Sequence, residues 1–274
     1  MSRIWLDGAI LDVGAAGIAT SDRGFLLGDG AFETLRFEHG AIRRWTRHRA
    51  RLEGALSWLE IATPDFAAIE DAAARLCVEA GLSDAVLRLT VSRGAHGGGL
   101  EAPSGKAGTV LLTARPRPAP RENVSLAIVT GARRAGLQSE QHKLTSYAEP
   151  LAARREAKRA GADMALMVSA IDGAVVCADC ANVFAVLDGR TVTPPVSAGA
   201  LPGTVRAALL EASKQQGTPI LERALSQADI ARAEAVFVTN AVSGVVPASR
   251  VDGRALDPCH PLVLAATALE ADAG

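Results

Sequence analysis

The apolar positions along this chain change period again and again, and each change marks an element. Arg3–Leu11 alternates as a strand and turn, and Gly30–Arg36 as another short strand. His48–Leu59 carries Leu52, Leu56 and Leu59 at three- and four-residue steps, the spacing of a helix with one apolar face. Thr63-Pro64-Asp65 opens the next helix with a cap residue, a proline at the first position and an acid in the first turn. Gly81 suits a left-handed stop for that helix, and Ala85–Val91 and Thr109–Ala114 read as strands. Then comes Arg115-Pro116-Arg117-Pro118-Ala119-Pro120-Arg121, whose prolines cannot continue a ladder and favour an extended connector. Beyond it lie a strand near 124–129, a helix after Ser146 that ends by Gly161, and strands at 163–169 and 174–186. A helix at 205–216 follows, then a helical Ser226–Ala235 whose Ser226/Asp229 spacing resembles a capping box. Val236–Thr239 reads as a strand, and Pro261 opens a final helix. This pattern predicts an α/β (α+β) chain of two domains. A smaller N-terminal α+β domain spans 1–117, a linker 118–122 and a larger C-terminal domain 123–274.

Composition narrows the function classes. The chain is 49% hydrophobic and 22% charged, the balance of a folded globular protein rather than a disordered one. A net charge of −1 offers no basic field for nucleic acid, and aromatics at 4% are too sparse for base stacking. Apolar runs are too short to span a bilayer, and the N-terminus lacks the apolar core and cleavage site of a signal peptide. Cys177 and Cys180 form one C-x-x-C with no second pair or nearby His, so no metal site is expected. With Cys77 and Cys259 they read as free thiols of a cytoplasmic protein.

The residue with most to say is Lys143. Only four of the 29 Lys+Arg are lysine, at 106, 143, 158 and 214, and one of these lies in His142-Lys143-Leu144-Thr145-Ser146-Tyr147 between a strand and a helix. Arginine stays protonated, whereas a desolvated lysine sheds its proton and attacks a carbonyl. On position alone, Lys143 reads first as an ordinary surface lysine at a strand-to-helix junction.

Several further segments change that balance when taken in order. They are Ser21-Asp22-Arg23-Gly24, Gly28-Asp29-Gly30-Ala31-Phe32-Glu33-Thr34, His48-x-x-Arg51-Leu52, Lys143 and Asn182-Val183-Phe184. Leu201-Pro202-Gly203-Thr204-Val205-Arg206 and Phe237-Val238-Thr239-Asn240 complete the set. Over nearly its whole length the chain resembles the fold-type IV pyridoxal-phosphate enzymes. These include D-amino-acid and branched-chain transaminases and 4-amino-4-deoxychorismate lyase. The resemblance implies pyridoxal 5′-phosphate as cofactor, lying in the cleft between the domains, with the C-terminal domain as its main holder. Lys143 would form the Schiff base and then, once freed, move a proton between the substrate Cα and the cofactor C4′. Burial and a neighbouring cation would lower the pKa of that amine. Phosphate donors would be Arg51, the helix start at Gly203, Thr204 and Val205, and Thr239, Asn240 and Ala241. Without the resemblance these are a solvated arginine, a helix cap and a turn. Family members are homodimers whose partner helps close the active site.

The resemblance also has departures. Five residues before the Asn of Asn-x-Phe the family carries a glutamate that pairs with the protonated pyridine nitrogen; here that position is Cys177. A neutral thiol would keep the nitrogen protonated poorly. Asp179, two positions on, would share the face of Cys177 if the strand persists. For the substrate, Arg88 is the candidate carboxylate anchor, with Phe32 and Thr34 beside it and Arg36 further along the strand. Arg88 also reads as a strand arginine facing water. Ser92–Gly99 resembles the loop beside the active site, yet Gly98 and Leu100 stand where relatives place carboxylate-gripping side chains. Tyr147, four residues after Lys143, would approach the pocket by helical spacing, but it reads first as a buried structural tyrosine. The implied activity is a transaminase moving an amino group between an amino acid, D-configured or branched-chain, and a 2-oxo acid. The alternatives are the lyase that yields 4-aminobenzoate and pyruvate, and a cofactor-binding protein without turnover, which Cys177 motivates.

Overall fold

The computed structural model describes residues 3–96, 99–101, 108–133 and 137–273. It is a mixed α/β chain that divides into two compact units, Met1–Pro118 with His142–Ser146, and Ala119–Gln141 with Tyr147–Gly274. The expected second domain, 123–274, is therefore interrupted: a five-residue segment carrying Lys143 belongs with the first unit.

The first unit holds β1 (Arg3–Leu6), β2 (Ala9–Asp12), α1 (Arg23–Leu27), β3 (Gly30–Glu38) and β4 (Ala41–Ile42), then α2 (Trp45–Leu59), α3 (Phe66–Glu79), β5 (Asp84–Ser92) and β6 (Val110–Pro116). Its sheet runs β2-β1-β6-β5-β3-β4. The expected strand and turn at Arg3–Leu11 is a hairpin, closed by Asp7 and Gly8, both with positive φ. Side chains alternate along β3, so Ala31, Leu35 and Phe37 enter a core with Leu52 and Leu56 of α2 and Ile69 and Leu76 of α3. Phe32, Thr34 and Arg36 belong to the opposite face. Phe66 begins α3, and Asp65 caps it by accepting from the Ala67 and Ala68 N–H groups at 2.9 and 3.2 Å. The acid expected inside the first turn is thus the cap itself, and Thr63 lies outside the helix.

The second unit holds β7 (Val124–Arg133), α4 (Ala148–Arg159), β8 (Met164–Ser169), β9 (Val175–Ala178), β10 (Asn182–Leu187), β11 (Arg190–Thr193), α5 (Thr204–Gln215) and β12 (Leu221–Glu222). It continues with α6 (Gln227–Arg232), β13 (Ala235–Asn240), β14 (Gly244–Val251), β15 (Arg254–Ala255) and α7 (Pro261–Asp272). The sheet order is β12-β11-β10-β13-β14-β7-β8-β9, with β15 on β14. The expected strand 174–186 is two strands, because a turn at Asp179 and Cys180 folds the chain back and bridges Ala178 to Ala181. The Ser226/Asp229 capping box is present on α6. No helix among the described residues is long and apolar enough to cross a membrane.

Replacing Asp65 by Ala removes two charge-assisted bonds to orphan N–H groups. It is expected to cost about 1 kcal/mol of stability, read by chemical denaturation.

Candidate active site

In the first unit the site begins at the free side of β3. Phe32 donates its N–H to the Lys143 carbonyl at 3.0 Å, and Thr145 donates to the Gly30 carbonyl at 2.9 Å. Ala31 and Leu144 pair as an antiparallel bridge, and the Thr145 hydroxyl donates to the Gly28 carbonyl at 2.7 Å. The segment 143–145 is thus a short added strand, held by backbone groups that β4 does not reach. His142 stacks on Trp58 of α2 with ring centroids 5.3 Å apart. The Lys143 amine lies 4.4 Å from the centre of the Phe32 ring, and the Arg88 guanidinium lies 3.8 Å from it. Phe32 therefore gathers both cations by the attraction of its ring quadrupole.

Arg88 sits on an inner strand directly opposite Thr34, on the face that α2 and α3 leave open, and it is exposed. Its charge is not buried, contrary to what a central strand position implies. Arg36, on the same face, is held by Glu38 and lies 3.8 Å from Asp84. Tyr147 precedes α4 and the chain from Lys143 to it is not helical, so the one-turn spacing does not apply. Of the loop at Ser92–Gly99, Gly97 and Gly98 lie outside the described residues.

Behind Phe32, on the core face of β3, stands Glu33, with no solvent exposure. His48 and Arg51, one turn apart on α2, both reach it. The His48 Nδ1 lies 2.7 Å from Oε2, and Arg51 donates Nε to Oε1 at 2.7 Å and Nη2 to Oε2 at 2.5 Å. Burial pushes the Glu33 pKa up, but the Arg51 charge and the bonds from His48 and Arg51 outweigh it and hold the carboxyl at about 2. His48 is pushed down, first by burial and then by the Arg51 and Lys143 charges, against the pull of Glu33. Neutral His48 facing a carboxylate carries its proton on Nδ1, which leaves Nε2 as an acceptor. Nothing in the sequence reading gave Glu33 a role. The signal was there: a carboxylate in phase with the apolar positions of β3, and a His and Arg three apart on the next helix.

A second cluster explains why the acidic and glycine-rich segments occur together. Asp22 caps α1 and accepts from the Ser92 hydroxyl at 2.8 Å. Asp29 accepts from Arg23 at 2.9 Å and Arg93 at 2.7 Å, and both charges help hold its pKa low against burial. Arg23 donates onward to the Gly99 and Leu100 carbonyls, Arg93 to those of Leu59 and Glu60 at the end of α2.

In the second unit, Asn182 opens β10 and ties two features together. Its amide donates to the Leu201 carbonyl at 2.8 Å, and its strand partner on β13 is Thr239. A Cβ on Gly203 would lie 1.9 Å from the Asn182 Oδ1, so only glycine lets α5 start this close. The first-turn N–H groups of α5, at Thr204 and Val205, have no acceptor within the helix. Beside them Thr239 is 2% exposed, and its hydroxyl has no hydrogen-bond partner among the described residues. The Asn240 Oδ1 accepts from the Val242 and Ser243 N–H groups, so its oxygen holds the turn that contains Ala241. A buried unpaired hydroxyl next to a glycine-started helix suits an anion, and these residues fit a phosphate. Of the predicted phosphate donors, the structure brings Gly203, Thr204, Val205 and Thr239 together around Asn182.

On the same unit Cys177 faces a different outcome from the one expected. β9 ends at Ala178, so Asp179 is in the turn and not two strand positions along from Cys177. Its oxygens accept from Arg154 Nε and Nη2, each at 2.5 Å, and from the Ala165 N–H at 2.9 Å. Asp179 is a structural carboxylate.

These features agree with what known proteins show. Residues 30–251 match the model of the family Amino-transferase class IV. A Methanocaldococcus jannaschii protein provisionally named a branched-chain-amino-acid aminotransferase is 29% identical over 93% of this chain and 90% of its own length. A bifunctional aminodeoxychorismate lyase / D-amino acid transaminase from Mycobacterium tuberculosis is 30% identical, over 92% of each chain. Among solved structures, a hypothetical aminotransferase from Mycobacterium tuberculosis in its PLP-bound form superposes with a TM-score of 0.88 at 27% identity, over 99% of this chain and 98% of that one. The same protein is also known with alpha-ketoglutarate and PMP bound. This chain belongs to the class IV aminotransferase family, enzymes that use pyridoxal 5′-phosphate.

Two outcomes follow from the geometry. Glu33 has a folded pKa below its unfolded value of 4.5, so its stabilisation is complete above pH 4.5 and is lost as pH falls toward about 2. His48, also pushed down, adds loss as pH falls below its ordinary 6.5. The Glu33 contribution is about 3 kcal/mol, and Glu33→Gln is expected to flatten the acid limb of a stability-against-pH curve below 4.5. In the second unit, Thr239→Val keeps the shape and deletes the unpaired hydroxyl. It is expected to weaken cofactor binding roughly tenfold or more, measured by equilibrium dialysis, while leaving thermal stability of the apoprotein unchanged or higher.

Proposed function

We propose that this enzyme is a transaminase that moves an amino group between an amino acid and a 2-oxo acid, with Lys143 as the covalent and proton-carrying residue. The observation that carries the reading is the added strand that fixes Lys143 to β3, with its amine over the Phe32 ring. Pyridoxal 5′-phosphate, when bound, supplies an aldehyde that condenses with amines and a ring that takes up the electrons left at Cα. Lys143 would hold the cofactor through its amine and, once freed, would move a proton to or from the substrate Cα. Because four backbone and hydroxyl bonds hold its segment, the amine swings from a fixed root, and little is lost to repositioning. Arg88, on the same ring and open to solvent, receives the substrate carboxylate, with Thr34 opposite it and Phe32 beneath. The candidate phosphate donors are Arg51 on the first unit and, on the second, the α5 start with Thr239. Glu33 keeps the Arg51 fork oriented.

The donor is an amino acid of the D-configured or branched-chain kind, in line with the relatives. A second reading, cleavage of 4-amino-4-deoxychorismate to 4-aminobenzoate and pyruvate, is favoured by the bifunctional relative. The enzyme works in the cytoplasm as a homodimer. The three exposed apolar neighbours Phe25, Leu26 and Leu27 support a partner surface, and its free cysteines suit a reducing compartment.

Addition of the true donor is expected to bleach the yellow holoenzyme and a 2-oxo acid to restore it. A spectrum that no D- or L-amino acid alters would sink transamination. Pyruvate release from aminodeoxychorismate without an added acceptor would shift the assignment to the lyase. Lys143→Ala is expected to lose both the colour and the borohydride-fixed label.

A further inference from the structure

Lys143 hangs in a closed circuit of contacts, all within the first unit. On its C-terminal side Thr145 donates its N–H to the Gly30 carbonyl and its hydroxyl to that of Gly28. Asp29, between those two glycines, accepts from Arg93, and Arg93 donates onward to the Leu59 and Glu60 carbonyls at the end of α2. Trp58 is the next residue back along that pinned helix end. Its indole stacks on His142, with ring centroids 5.3 Å apart and planes inclined by 26°. His142 precedes Lys143 directly and is where the chain enters the first unit, since Gln141 belongs to the second. The circuit therefore leaves the chain at Gly28–Gly30 and returns to it through the lysine.

Trp58 is 41% exposed, while Ala55 and Leu56 of the same helix fill the core, so the core does not account for so large a ring. Among the described residues no hydrogen bond holds His142, which leaves the stack as the tie at that end. Burial pushes the His142 pKa below its ordinary value, and the neutral ring presents an apolar face to the indole. Resting on the reading of Lys143 as the cofactor lysine, we propose that Trp58 is a positioning residue, whose ring clamps the entry end of the lysine segment through His142. A short added segment frays from whichever end is untied, and Thr145 secures only one. With both ends held, the amine moves over the Phe32 ring from a root that does not open. Arg51 and Trp58 lie seven residues apart on α2, two turns along one face, so a single helix carries both the Glu33 partner and the clamp.

Amide hydrogen exchange of the apoprotein tests this at the Phe32 and Thr145 N–H groups, the donors of the two main-chain bonds that hold the segment. Trp58→Ala is expected to speed exchange at both by about threefold to tenfold, the strength of one aromatic pair, and to leave the Leu35 N–H of the same strand unchanged. Trp58→Phe keeps an aromatic face and is expected to restore most of the protection. Trp58→Ala added to His142→Ala is expected to change nothing further, because the two rings act through one contact. Native protection in Trp58→Ala overturns the inference. So does a loss that spreads to Leu35, which makes the tryptophan a general support of the fold, and so does additivity in the double variant. Should Trp58→Ala fail to fold, His142→Ala makes the same measurement from the other ring. On addition of pyridoxal 5′-phosphate, Trp58→Ala is expected to turn yellow about threefold to tenfold more slowly than the native protein. Borohydride reduction with peptide mapping separates the two levels. A tag on Lys143 that forms at the native rate in Trp58→Ala sinks the positioning role alone, whereas a tag elsewhere or nowhere in the native protein sinks the cofactor reading.

Discussion

A carboxylate sealed from water fixes the first unit. Glu33 occupies a core position of β3, and an unpaired charge there would cost several kcal/mol. It persists because α2 brings His48 and Arg51 to it on consecutive turns, which in turn dictates how that helix lies on the strand. Leu52 and Leu56 then fill the core on the same helix face, each contributing about 1.5–3 kcal/mol by burial. The apolar packing is permissive of small shifts; the two-oxygen, three-nitrogen arrangement is not. Arg51 therefore has one orientation, whether or not an anion is present.

The same strand does a second task on its other edge and face. β4 pairs only with Phe37 and Glu38, which leaves the Gly30–Phe32 end open for the segment with Lys143. The glycines and acids before it serve that end. Gly28 turns the chain at the end of α1 with φ at 69°, its carbonyl takes the Thr145 hydroxyl, and Asp29 gathers Arg23 and Arg93. A residue over a hundred positions away thus has a fixed root, held by two main-chain bonds and by the Thr145 hydroxyl.

Periodicity revealed most of the elements, because each is amphipathic against its own sheet. Where it misjudged, a polar side chain had overridden the period. Asp65 moved the start of α3 by competing for its N–H groups, and the turn at Asp179 split an apolar run that looked continuous. The strand Gly244–Val251 escaped notice because Pro247 and Ser249 break its alternation, although Val245 and Val246 are buried. The contact at Gly203 was legible because one residue type does a job there that others cannot. The site was illegible where the meaning lies in pairing across the fold. Glu33 looked like part of a motif and Asp179 looked like a substitute ligand; only their partners, Arg51 and Arg154, decide what each does.

That contrast also separates what each feature tolerates. The start of α5 rests on a glycine and on the Asn182 side chain, and it tolerates change at many other side chains as long as it begins against Asn182. Cys177 instead sits in a wall of alanines beside the ion pairs of Arg133 with Glu140 and of Arg154 with Asp179. A charged side chain introduced there would be desolvated, and costly unless a counter-charge came with it.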